Sequence, residues 1–156
     1  MYKQCLIEVL SSDDMGGSFP IAKVMDTVKA AQPKGYDYAV YTSARDQPVG
    51  LMQTVPAHKV VCLRFGDIIV LESQDRTKTT YKWVGTFPSG WNENKKLQNF
   101  CDAISLEATD RWFAWVLENM CRMSGRPLGS IKIIPCDMGP CPDNIKDYLP
   151  GEQVFF

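Results

Sequence analysis

The segment DRWFAWVLENMCRM, Asp110 to Met123, most constrains what this chain can fold into. On a helix, Trp112, Phe113 and Trp115 spread over about 300° of turn, so no single stripe holds all three. A helix that is apolar on more than one face must be covered by other elements. Val116, Leu117 and Met120 continue its apolar character, and Gly125 and Pro127 supply stop signals. Trp115 lies off the Trp112/Val116/Met120 stripe and is the aromatic expected to face a partner.

The rest of the chain offers strands to cover that helix. Tyr2 to Leu10 is apolar on both faces, as expected of a well-covered strand. Ser18 and Pro20 then open a helix along the Ile21/Val24/Met25/Val28 stripe, closed by Pro33 and Gly35. Tyr36–Tyr41 and Ile131–Ile134 read as short strands. Lys59–Phe65, Ile68–Glu72 and Thr77–Phe87 read as a three-stranded antiparallel meander, with Gly66-Asp67 in a type II′ turn and a second turn at Phe87–Gly90. From Asn92 the spacing of Leu97, Phe100, Cys101 and Ile104 is helical, and Ser105 or Thr109 can cap a new start. The spacing leaves open whether 92–124 is one helix or two. Ser43 to His58 shows no periodicity; it reads as a long loop and a candidate contact surface, with Arg45 its candidate binding cation.

The expected fold class is α+β: a single domain over 1–156, mostly antiparallel sheet with a three-stranded meander, and two or three helices packed on it. Residues 135–156 are rich in proline and glycine and read as a tail packed on the surface. With 156 residues and 45% apolar content the chain can build a core without staples.

A formal charge of -1 argues against a non-specific polyanion binder. Arg64, Arg76, Lys78 and Lys82 accompany Tyr81 and Trp83, a pattern that can hold single-stranded nucleic acid. Side-chain alternation sets Lys78 and Lys82 opposite those aromatics, so nucleic acid ranks below protein as a partner. No stretch approaches the ~20 apolar residues of a membrane span. No secretory leader is read at the start, and the expectation is a cytoplasmic protein without a membrane partner.

Cys5, Cys62, Cys101 and Cys121 sit in apolar patterns and read as core thiols. Cys136 and Cys141, in a proline-rich stretch, read as two exposed turn thiols or a redox-labile bridge, and one or the other is expected to react. With a single histidine, a zinc site lacks ligands, and no metal or other cofactor is expected. A Cys62–His58 dyad on a strand would span about 13 Å, which makes it a poor dyad. Neither a nucleophile motif nor a phosphate loop is present. The expected function is a non-enzymatic binding module, an adaptor, inhibitor or assembly component, acting on a larger protein. A nucleic-acid-associated protein using 59–87, or a carboxylate or metal enzyme, ranks below it.

Two loops share Asp-Met-Gly: SSDDMGGSFP, Ser11 to Pro20, and IIPCDMGPCP, Ile133 to Pro142. If both leave one end of the sheet, Asp13, Asp14 and Asp137 form an acidic rim suited to a basic partner. The competing reading is that these residues simply make the turns. The candidate binding residues are therefore Asp13, Asp14, Asp137, Trp115 and Arg45.

Overall fold

The computed structural model describes residues 25–27, 29, 30, 32–74, 84–106 and 109–135. Residues 25–27, 29 and 30 are helical, and a 3-10 turn at Gln32–Lys34 follows. Gly35, at φ 83°, turns the chain into the sheet in the left-handed region that glycine favours. The strands are β1 (Asp37–Thr42), β2 (Pro48–Thr54), β3 (Ile68–Gln74), β4 (Val84–Trp91), β5 (Leu97–Asn99), β6 (Asp102–Ser105) and β7 (Lys132–Pro135). Two helices interrupt them, α1 (Pro56–Phe65) and α2 (Asp110–Ser124). The sheet order is β1-β2-β6-β4-β3-β7, with β5 paired to β4. Among the described strands, every pairing is antiparallel except β3 with β7. The architecture is α+β, as the sequence predicts.

One cross-strand row shows how the core is assembled. Ala39, Met52, Ala103, Thr86 and Ser73 stand side by side across β1, β2, β6, β4 and β3. Apart from Met52, the side chains in this row are small. Trp112 of α2 lies over it and donates its indole N–H to Thr86 Oγ1 at 3.0 Å. Phe113, Ala114, Val116, Leu117, Met120 and Cys121 are the other buried residues of α2. Fully burying the larger of these side chains stabilises the fold by roughly 1.5–3 kcal/mol each.

α2 begins and ends where its sequence says it should. Thr109 accepts a hydrogen bond from the Trp112 amide, and Gly125 closes the helix at φ 76°. The possible break near Ser105–Thr109 is thus resolved as a new start, and 110–124 is one helix.

Several expectations are corrected. Lys59–Phe65 is not a strand but most of α1, which starts with Pro56 in its first turn and ends at Gly66. Its inward side holds Cys62 and the half-buried His58, while Val60 and Leu63 face solvent. Apolar residues on the outer face erase the 3.6-residue signal, and the paired valines imitate a strand. Gly66-Asp67 is accordingly no hairpin turn. A three-stranded antiparallel meander does exist, but it is β3-β4-β5.

Within the aperiodic stretch 43–58, residues 48–54 form β2, whose Leu51, Met52, Gln53 and Thr54 are all buried. Phe87–Gly90 is no turn but the interior of β4. Proline is tolerated there because β4 changes neighbour at that point, from β6 before Pro88 to β5 after it. Asn92 does not open a helix; it opens the β4–β5 turn, its side chain accepting from the amides of Asn94 and Lys96. The helical spacing of Leu97, Phe100, Cys101 and Ile104 is a coincidence within β5, β6 and their connection.

The strands expected at 36–41, 68–72 and 131–134 are β1, β3 and β7. The Tyr2–Leu10 strand, the 77–83 half of the third meander strand and the tail beyond Pro135 lie outside the described residues.

Candidate functional site

Where β1 runs beside the first half of α2, the surface opens into a cleft. On the helix side, Arg111, Trp115 and Glu118 follow the i, i+4, i+7 spacing and share one face. On the sheet side stand Val40, Tyr41 and Thr42. These residues and Ala114 line a depression of about 300 Å³. A second, of about 570 Å³, adjoins it and shares Tyr41, Thr42 and Arg111. It continues over the β1–β2 turn past Ser43, Arg45 and Gln47 to Thr109.

The turn that carries Arg45 is fixed by its own hydrogen bonds. Ser43 and Gln47 pair through the backbone at 2.8 Å, and Ser43 Oγ accepts from the amides of Arg45 and Gln47. Asp46 takes the left-handed conformation at φ 54°, which aspartate tolerates better than most residues. Arg45 is thereby held at the turn while its side chain stays exposed.

The floor is aromatic. Trp112 and Trp115 stack at 5.3 Å with 19° between planes, and Tyr41 meets both rings edgewise or tilted, at 5.3 and 5.2 Å. Such contacts fix ring orientation beyond simple burial. Trp112 and Phe113 are fully buried, whereas Trp115 is half-buried and reaches the cleft wall. Of the three aromatics that open α2, Trp115 is the one left accessible, in keeping with its position off the buried stripe.

Charge at the rim is uneven. Away from the cleft, Arg64 pairs with Glu93, Arg126 with Asp67, and Arg122 bonds Asn119. Among the described residues, Arg45 and Arg111 have no such side-chain partner. Among the described residues, Glu118 is the single carboxylate on the cleft wall, and it stands at the Trp115 end.

Of the residues singled out by sequence, Arg45 and Trp115 meet around this cleft, which neither local pattern foretold. Asp13, Asp14 and Asp137 lie outside the described residues, as do Cys5, Cys136 and Cys141. Sequence reading missed Tyr41, Arg111 and Glu118. The spacing of Arg111, Trp115 and Glu118 was a signal for two of them; Tyr41 needed the sheet order.

A second cluster lies in the core. Cys62, Cys101 and Cys121 are all buried free thiols, as expected, although Cys62 sits on a helix and Cys101 on the β5–β6 connection. His58 lies one helical turn from Cys62, not 13 Å along a strand, so the distance objection to that dyad falls. Electrostatics replaces it. Burial pushes the Cys121 thiol up to about 12, raises Cys101 well above the ordinary thiol value with Asp102 adding to it, and raises Cys62 against the opposing pull of Ser124 and Arg126. Burial lowers His58, with Asp102 partly opposing. Neutral thiols beside a neutral imidazole pack well but make poor nucleophiles. Among the described residues, no three histidine, cysteine or acidic side chains gather as metal ligands.

The face of the sheet opposite α2 carries an exposed apolar pair, Trp91 and Leu97, which are cross-strand partners. Ile68, also exposed, lies beside them where the β3–β4 register continues. Among the described residues, no helix is long and apolar enough to cross a membrane. No protein-family model matches the chain, nor does any curated protein or solved structure.

Proposed function

We propose that the protein is a non-enzymatic binding module, an adaptor, inhibitor or assembly component, whose contact surface is the cleft between β1 and α2. The observation that carries this reading is the combination of an accessible, rigidly stacked Trp115 with two side chains, Arg45 and Arg111, that make no ion pair among the described residues. Tryptophan and arginine dominate the energetics of protein interfaces because each removes a large apolar area from water while retaining directional polar contacts. The chemistry of the core cluster favours packing over catalysis, since its thiols are held protonated. Arg64, one of the basic groups considered for nucleic acid, belongs to a helix and is engaged by Glu93, which lends that alternative no support.

The test is affinity capture with the full chain as bait, wild type beside the Trp115→Ala, Arg111→Glu double variant. A protein retained by the wild type and lost by the folded variant supports the reading. Identical retention by both, or no retained macromolecule alongside turnover of a small molecule, overturns it.

A further inference from the structure

Resting on that reading, we propose that the cleft takes an acidic peptide segment of its partner, with a carboxylate between Arg45 and Arg111 and an apolar side chain on Trp115. The polarity of the lining dictates this. At the turn end, Ser43 Oγ already accepts from two backbone amides and Thr109 Oγ1 from a third. A hydroxyl whose oxygen is occupied keeps its hydrogen to give. With the guanidinium groups of Arg45 and Arg111, that end presents donors, and among the described residues no carboxylate lines it. An acceptor with negative charge is the complement, and arginine binds carboxylate through two parallel N–H bonds.

The other end is different. Tyr41, Ala114 and Trp115 offer an apolar wall, and Glu118 closes it. A second carboxylate placed there would meet Glu118, and like charges across an interface oppose binding. The occupant is therefore ordered: acidic toward the β1–β2 turn, apolar in the middle, neutral or basic toward Glu118. Reversing that order places its acid against Glu118 and its cation against two arginines, so the cleft also selects direction.

The probes are two fluorescein-labelled synthetic decapeptides, read by polarisation on the full chain. One carries two glutamates, then two leucines, then a lysine; the other exchanges every glutamate for lysine and the lysine for glutamate. The glutamate-first peptide is expected to bind ~10-fold tighter at low salt, with the gap narrowing as salt screens the charges. Arg45→Glu with Arg111→Glu should invert the preference, and Trp115→Ala should weaken both peptides. Arg45 and Arg111 are exposed, and a glutamate in the first turn of α2 suits the helix dipole, so the double variant keeps its fold. Equal affinities, a preference that survives the double reversal, or a cleft found covered by a second copy of the chain would overturn the acidic assignment. A captured partner that depends on Trp115 but ignores both arginine reversals would leave the binding module standing and remove only its acidic ligand.

Discussion

Gly50 of β2 and Trp112 of α2 are packed so closely that a methyl group on Gly50 would come within 2.7 Å of the indole ring. The contact brings the helix down onto the sheet beside Tyr41 and sets the depth of the cleft floor. Gly50→Ala should therefore displace Trp112 and cost about 1–3 kcal/mol as an overpacked core does. At this chain length that lowers the melting temperature by about 2–4 °C per kcal/mol. Gly129→Ala, with nothing within 4 Å, serves as the control and should change stability by less than about 0.5 kcal/mol. Equal melting of both variants would contradict the packing described.

The Trp112–Thr86 hydrogen bond joins two fully buried side chains. Removing either partner strands the other, at about 1–3 kcal/mol. Trp112→Phe and Thr86→Val should each destabilise, and the double variant should cost less than their sum by about 1 kcal/mol. Additive losses in a denaturation cycle would show that the bond carries no coupling.

The three core thiols make two linked expectations. Without denaturant, Cys62, Cys101 and Cys121 should resist alkylation, read site by site by mass spectrometry. Raised thiol values also tie stability to alkaline pH. Above about pH 9 an unfolded thiol loses its proton while folded Cys121, near 12, retains it. The unfolded state then binds fewer protons, and stability falls as pH rises through that window. Cys121→Ala should reduce the slope of melting temperature against pH between 9 and 11. Rapid native labelling of these thiols would refute their place in the core.

His58 is the chain's single histidine, so its ring protons give one NMR titration. Burial, only partly offset by Asp102, should place the midpoint below 6.5. The unfolded chain then takes up a proton that the folded chain refuses, and stability declines as pH drops through 6.5. His58→Gln should flatten that decline. A midpoint above 6.5 would mean that Asp102 outweighs burial.

How far the sequence could be read depends on where local signals agreed with tertiary demands. α2 was legible because Thr109, Gly125 and a broad apolar face all say helix, and they are all used as such. β1, β3 and β7 were legible from short β-rich runs between turn residues. α1 was not, because Val60 and Leu63 face water while His58 and Cys62 turn inward, inverting the usual pattern. The remaining signals, Pro56 and Gly66, were outweighed by the two valines. β2 was hidden by Gly50, which reads as loop but is required by the approach of Trp112. Within the cleft, Trp115 could be picked out by its position off the buried stripe. Arg111 reads as an ordinary solvated charge until β1 is placed opposite it, and that placement is topological.

Amide hydrogen exchange on the full chain, with and without its captured partner, shows whether the β1–α2 cleft is the contact surface. Slowed exchange is expected at residues 40–45 and 109–118 alone, with Trp91–Leu97 unchanged. Protection centred on Trp91–Leu97, with the cleft exchanging as in the free protein, would contradict it.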